Sequence, residues 1–200
     1  MTMNPWIKDL ITFFSSIKTR LAVVLDASGC RENWVQAEWY QWLRQRQEKE
    51  NVLVNGLCLG QNDLENDKVD LAILGRDKKP ILIAEIKVFG EWNYKPSNLD
   101  GRGIRDYQKN FSPTGPIVVS PSRFWRGRST GGILRDYFRL RDYQPRSRSL
   151  TRLLVLVLQR NASPDGFGKL ISRIEFEEDA QILLDRPEVR VKCWPLTLAT

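Results

Sequence analysis

The chain contains no histidine. That removes Ser-His-Asp hydrolases, His-ligated zinc enzymes, histidine-dependent nucleases and phosphohistidine chemistry. Acid–base work falls to carboxylates, lysine, tyrosine or metal-bound water. Cysteine is scarce. Cys30, Cys58 and Cys193 are scattered and odd in number, which suits free thiols in a reducing cytoplasm and not the spacing of a zinc site. No run approaches the roughly 18 uninterrupted apolar residues that a membrane-spanning helix needs. The N-terminal stretch lacks a basic region followed by an apolar core, so it does not read as a signal peptide. Repeats and low-complexity linkers are also missing. The expectation is a cytoplasmic protein with no membrane partner.

What is present argues for one folded domain over residues 1–200: 42% apolar residues and seven tryptophans. The net charge is +7, and its distribution is more telling than its size. Residues 121–152 hold nine arginines, among them Arg123, Arg126, Arg128, Arg135, Arg139, Arg146 and Arg148, with no lysine. Only Asp136 and Asp142 oppose them, so this stretch carries the whole excess and the rest of the chain is neutral. Phe124, Trp125, Tyr137, Phe138 and Tyr143 are interleaved. Guanidinium forks match phosphate oxygens bidentately, and a basic stripe of this kind is the electrostatic footprint of a nucleic-acid binder. The competing interpretations are a solvated basic face, or arginines paired with the acidic run 175–179.

Apolar spacings of three and four predict a helix over 5–25, capped by Asn4-Pro5. A second helix is predicted over 31–49, with Trp34, Val35, Trp42 and Leu43 as its buried stripe. Glu38 falls on that apolar face and stands out. Glu32, near the helix start, is explained by the helix dipole alone. Glu38 at the stripe's edge, bonded to backbone or an arginine, is the structural alternative. Strands are predicted over 51–59, 68–74, 81–88, 116–120, 153–159 and 188–194. Further helices are predicted over 97–110 and 130–143, and 167–184 is ambiguous. The element order fits an α/β class with a mixed sheet: a hairpin-built half, then crossovers.

The chemistry concentrates in two adjacent apolar strands. Asp70 interrupts Lys68–Leu74, and Glu85-Ile86-Lys87 interrupts Ile81–Val88. Buried charge is expensive unless paired, hydrogen-bonded or bound to metal. The segment 75–80, with Gly75 at one end and Pro80 at the other, reads as a hairpin turn. Centred between Asp77 and Lys78, it sets Leu74 opposite Ile81, Ala72 opposite Ile83 and Asp70 opposite Glu85. Side chains alternate faces along a strand, so Glu85 and Lys87 project to one side. Two facing carboxylates repel, and a divalent cation removes the conflict. Oxygen-only ligands suit a hard ion, Mg²⁺ first of all. A plain ion pair between Lys87 and one of the carboxylates is the structural alternative.

Glu38, Asp70, Glu85 and Lys87, in that order on a helix, a strand and the next strand, resemble the PD-(D/E)xK nuclease superfamily. The resemblance covers roughly residues 31–120, the expected catalytic core. Val69 stands where the family's motif has its proline, a residue often missing in the family. The resemblance implies a restriction-endonuclease-like mixed β-sheet flanked by helices. It also implies Mg²⁺-dependent (or Mn²⁺-dependent) hydrolysis of DNA phosphodiester bonds. Asp70, Glu85 and the Ile86 carbonyl would hold the metal, with Glu38 on it directly or through water. Lys87 would orient water and steady the phosphate, and Gln108 or Lys109 would contribute from the following helix. The arginine segment lies outside the family pattern and suits contact with the backbone of double-stranded DNA. Residues 153–200 complete the domain. Cutting both strands of a duplex calls for two sites, which a homodimer would supply. The alternative is a non-catalytic nucleic-acid-binding protein on the same fold; a weaker one is an adaptor whose arginines meet an acidic protein. The arginine segment predicts duplex-DNA binding whose affinity falls steeply with salt. Filter binding across a salt series checks this, and a flat profile contradicts it.

Overall fold

The computed structural model describes residues 3–26, 31–47, 51–58, 68–89, 136, 140, 150–159 and 181–196. Among the described residues, two full helices and a six-stranded mixed sheet make an α/β layer. Helix α1 is Pro5–Leu25 and α2 is Arg31–Arg44. The strands are β1 (Val52–Cys58), β2 (Lys68–Leu74), β3 (Pro80–Phe89), β4 (Thr151–Gln159), β5 (Gln181–Asp185) and β6 (Val189–Leu196). Their spatial order is β1-β2-β3-β4-β6-β5. The central pair, β3 and β4, is parallel, and the other neighbours are antiparallel.

Local chemistry explains the helix start. Asn4 Oδ1 accepts the Trp6 amide at 2.9 Å, and Pro5 occupies the first helical position, where its missing N–H is no loss. Ile7, Leu10, Phe14, Ile17, Leu21 and Leu25 then fall on one face, joined by Phe13. The Phe13 ring lies against Phe14, Trp39 and Trp42, with centroids 4.9, 6.3 and 5.9 Å away. In α2 the buried stripe is Val35, Trp39 and Leu43, four residues apart, while Trp34 and Trp42 are only partly covered. Asp9 anchors the Trp42 indole at 3.1 Å. Arg46 lies 3.6 Å over that ring, a cation–π contact that covers its outer side. The helix ends at Arg44, five residues before the expected boundary; Arg46 N and Gln47 N turn back to the Leu43 carbonyl.

The β2–β3 hairpin corrects the expected register. Leu74 pairs with Pro80, not Ile81, whereas Ala72 pairs with Ile83 as the turn position required. The loop has three residues, 76–78, closed by Gly75 N to Lys79 O at 2.8 Å. Lys78 takes a left-handed conformation, φ 59, which a three-residue hairpin loop needs at its last position. The resulting one-residue offset is taken up by a bulge at Ile81, and the strands regain step by Ile73 and Leu82. The ambiguous segment 167–184 contributes β5 at its end. The expected helix over 97–110 and strand over 116–120 lie outside the described residues. Within 130–143, Asp136 and Leu140 are helical and buried.

Alternation along the strands divides the sheet into two buried faces. Leu71, Ile73, Leu82, Ala84, Ile86, Val88, Leu153, Val155, Val157, Val191 and Cys193 form one core with α1 and α2. The opposite face carries Asp70, Ala72, Ile83, Glu85, Lys87, Leu154, Leu156 and Trp194, also buried. All three charges flagged in the strands therefore lie on the face turned away from the main helical core. Burial pushes the Cys193 thiol up, so it stays protonated and inert.

Removing the Phe13 ring tests the helical layer. Phe13→Ala should destabilise the fold by about 3–5 kcal/mol, as for a fully buried aromatic. Val23→Ala, at a residue 70% exposed, should change stability by less than about 0.5 kcal/mol. Urea denaturation of both variants checks the contrast.

Candidate active site

The site grows from the point where the β2–β3 ladder stops. The last paired residues are Leu71 and Ala84. One step further, the Asp70 carboxylate takes over from the main chain, and its Oδ2 accepts the Ile86 amide at 2.7 Å. A short charge-assisted bond of this kind fixes the carboxylate against β3. β3 remains paired on its other side through the parallel ladder, Glu85 with Leu154 and Lys87 with Leu156. The Glu-x-Lys segment is thus held rigidly by β4 while its β2 side is released to side-chain chemistry. Glu85, 1% exposed, lies between residues held in this way and has polar interactions of its own.

Lys87 is the hub. Its Nζ lies 3.2 Å from Glu32 Oε1 at the start of α2 and 3.2 Å from Asp136 Oδ2. Burial alone would push a lysine pKa down, but the charges of Asp136, Glu32 and Asp70 outweigh it and raise the value above 10.5. Lys87 is therefore a cation at every pH of interest. Glu32 shifts the other way from an ordinary glutamate. Burial raises its pKa above 4.5, opposed chiefly by Lys87, while the neighbouring charges of Asp70 and Asp136 raise it further. Three carboxylates thus act on one ammonium.

Glu38 is not part of this cluster. Both of its oxygens are held by Arg20 of α1, at 3.0 Å each. Six residues separate Glu38 from Glu32, about 600° of helical rotation, so the two point about 120° apart. Glu32 is the helical carboxylate that reaches the strand charges. Its position near a helix start explained it too easily, because the dipole gives any first-turn glutamate a reason to be there. Asp136 is masked in the sequence as well, since it reads as one of two acids in an arginine run. The signal was its spacing: three residues after Ile133 and four before Leu140, it sits on the apolar side of its helix. Gln108, Lys109, Arg123, Arg126, Arg128, Arg135, Arg139, Arg146 and Arg148 lie outside the described residues. Arg152 is buried on β4 and has partners.

Among the described residues there is no group of three or more His, Cys, Asp or Glu side chains arranged to hold a metal ion. No helix among them is long and apolar enough to cross a membrane. Compared with known protein families, with curated proteins and with solved structures, the chain matches none.

The ion cluster has a stability signature. Lys87→Met removes the cation that Glu32 and the buried Asp136 share, which should destabilise the fold by about 3–5 kcal/mol at neutral pH. Glu32 has a raised folded pKa, so its contribution is fully present below pH 4.5 and is lost as pH rises through the folded value. The deficit of Lys87→Met should accordingly shrink on acidification toward pH 4.5. Denaturant titrations at pH 7 and 4.5 measure it, and an equal loss at both pH values contradicts the coupling.

Proposed function

We propose that the chain is a Mg²⁺-dependent DNA endonuclease built on a PD-(D/E)xK-type, restriction-endonuclease-like core. The observation that carries this is the placement of Asp70, Glu85 and Lys87 on one buried face where the β2–β3 ladder ends. The donor set fits the ion. Asp70, Glu85 and the Ile86 carbonyl supply hard oxygens only, and Mg²⁺ is held by one or two carboxylates plus waters, not by a full protein cage. Glu38, bound by Arg20, drops out of the metal set, and Glu32 is the helical acid in its place.

When bound, the ion would lower the pKa of a coordinated water and neutralise phosphate charge. Asp70 is pre-positioned by the Ile86 amide, so it need not reorganise on binding. Lys87 donates one N–H to Glu32, and Asp136 Oδ2 lies 3.2 Å from the same ammonium as an ion-pair partner. An ammonium has three N–H donors, and a remaining one would orient a water or steady a phosphate oxygen as charge develops on it. Glu32 and Asp136 keep that lysine charged and aimed. The arginine segment would grip the DNA backbone, positioning more than specifying, and a homodimer would supply the second site for a duplex cut.

Plasmid cleavage with Mg²⁺ against EDTA tests the proposal. Asp70→Ala, Glu85→Ala and Lys87→Ala should each reduce cleavage by about a hundredfold or more. Undiminished cleavage by Glu85→Ala and Lys87→Ala removes it. The second reading, a non-catalytic nucleic-acid binder on this fold, is favoured by the double clamp on Lys87, which is also what a purely structural ion cluster looks like. Metal-independent DNA binding without hydrolysis in the wild-type chain identifies that case.

A further inference from the structure

Beside Glu32, the first residue of α2 presents a different problem. Arg31 is 2% exposed, and its Nε, Nη1 and Nη2 are all buried with no hydrogen-bond partner among the described residues. A buried lysine can escape such a position by losing its proton, but a guanidinium stays charged. Burying it unpaired costs several kcal/mol. The position adds to the cost, because a positive side chain in the first turn opposes the helix dipole. Glu32, its chain neighbour, is committed to Lys87 and does not neutralise it.

We infer that Arg31 is the anchor of an oxyanion site at the start of α2, and that its ligand is a phosphate group. An oxyanion satisfies the forked donors and the helix end together. The chemistry suits either free phosphate or one phosphate of a nucleic-acid backbone; the second form rests on the nuclease proposal above. In that form Arg31 grips a phosphate one residue from Glu32, so α2 delivers an anion clamp and a lysine-positioning acid from adjacent positions.

The test uses the full chain in EDTA, with thermal unfolding followed in inorganic phosphate and in chloride at equal ionic strength. Phosphate should raise the wild-type midpoint saturably and leave that of Arg31→Met unmoved. Arg31→Met should be no less stable than wild type in chloride, since it removes an unpaired buried charge. Arg31→Lys, which keeps the charge and loses the fork, should need more phosphate for the same rise. Equal phosphate responses in wild type, Arg31→Met and Arg31→Lys overturn the site, as does a wild-type midpoint that phosphate does not move. Binding of a short DNA duplex in EDTA separates the two sources. A loss of about tenfold in Arg31→Met, the size of one charge-assisted contact, points to a backbone phosphate. Unchanged duplex affinity with an intact phosphate response points to free phosphate. Glu85→Ala should keep the phosphate response whether or not the wild-type chain cuts DNA, so failure of cleavage and failure of this site read out separately.

Discussion

One ammonium group ties the functional half of this molecule together. Lys87 Nζ binds a carboxylate from α2 and another from the helical residue Asp136, while its own backbone is locked into the parallel ladder with β4. Three parts of the chain far apart in sequence therefore share one charge. In a buried setting such contacts are strong only while all partners are present, because each leaves an uncompensated charge behind when another is removed. The cluster is thus a constraint on geometry more than a source of net stability. It fixes where α2 begins relative to the open end of the β2–β3 ladder, and Asp70 and Glu85 stand at that end.

The stability that tolerates this arrangement comes from the other face of the sheet. There α1 and α2 lay Phe13, Phe14, Val35, Trp39 and Leu43 against the valines, leucines and isoleucines of β2, β3, β4 and β6. Arg20 and Glu38 clasp the two helices at their outer side, and Trp42 is pinned between Asp9 and Arg46. Those contacts hold α2 in place along most of its length. Its first two residues are charged instead: Glu32 turns toward Lys87, and Arg31 is buried with no hydrogen-bond partner among the described residues. One helix thereby performs two tasks at opposite ends of its physical chemistry, apolar packing along its stripe and charge delivery at its start.

The strand charges were legible because strands announce themselves by what they exclude. A carboxylate inside Val-Asp-Leu-Ala-Ile, or a Glu-x-Lys inside an isoleucine run, contradicts its local surroundings, and period-two alternation then sets which charges share a face. Helix charges are harder. A glutamate on a helix is seldom anomalous, and the angular uncertainty of a stripe is enough to choose Glu38 over Glu32. Glu38 reads as the intruder on the apolar face once Trp34 and Trp42 are included in that face. The buried line runs instead through Val35, Trp39 and Leu43, with Glu38 at its edge and within reach of Arg20. Asp136 was hidden by the arginines around it.

The sequence by itself determined the helix of residues 5–25, the alternation that puts Glu85 and Lys87 on one side, and the burial of charge in two apolar strands. These are local properties, set by periodicities of 3.6 and 2 and by the chemistry of single side chains. Only the tertiary structure decided that the ladder ends at Leu71 and Ala84, that Asp70 then binds the Ile86 amide, and that a bulge at Ile81 absorbs the left-handed turn at Lys78. It alone decided which acids meet Lys87 and that Arg31 is buried without a hydrogen-bond partner among the described residues. Those outcomes depend on how separate elements approach one another, and the energy of a buried charge is fixed by neighbours that no local pattern names.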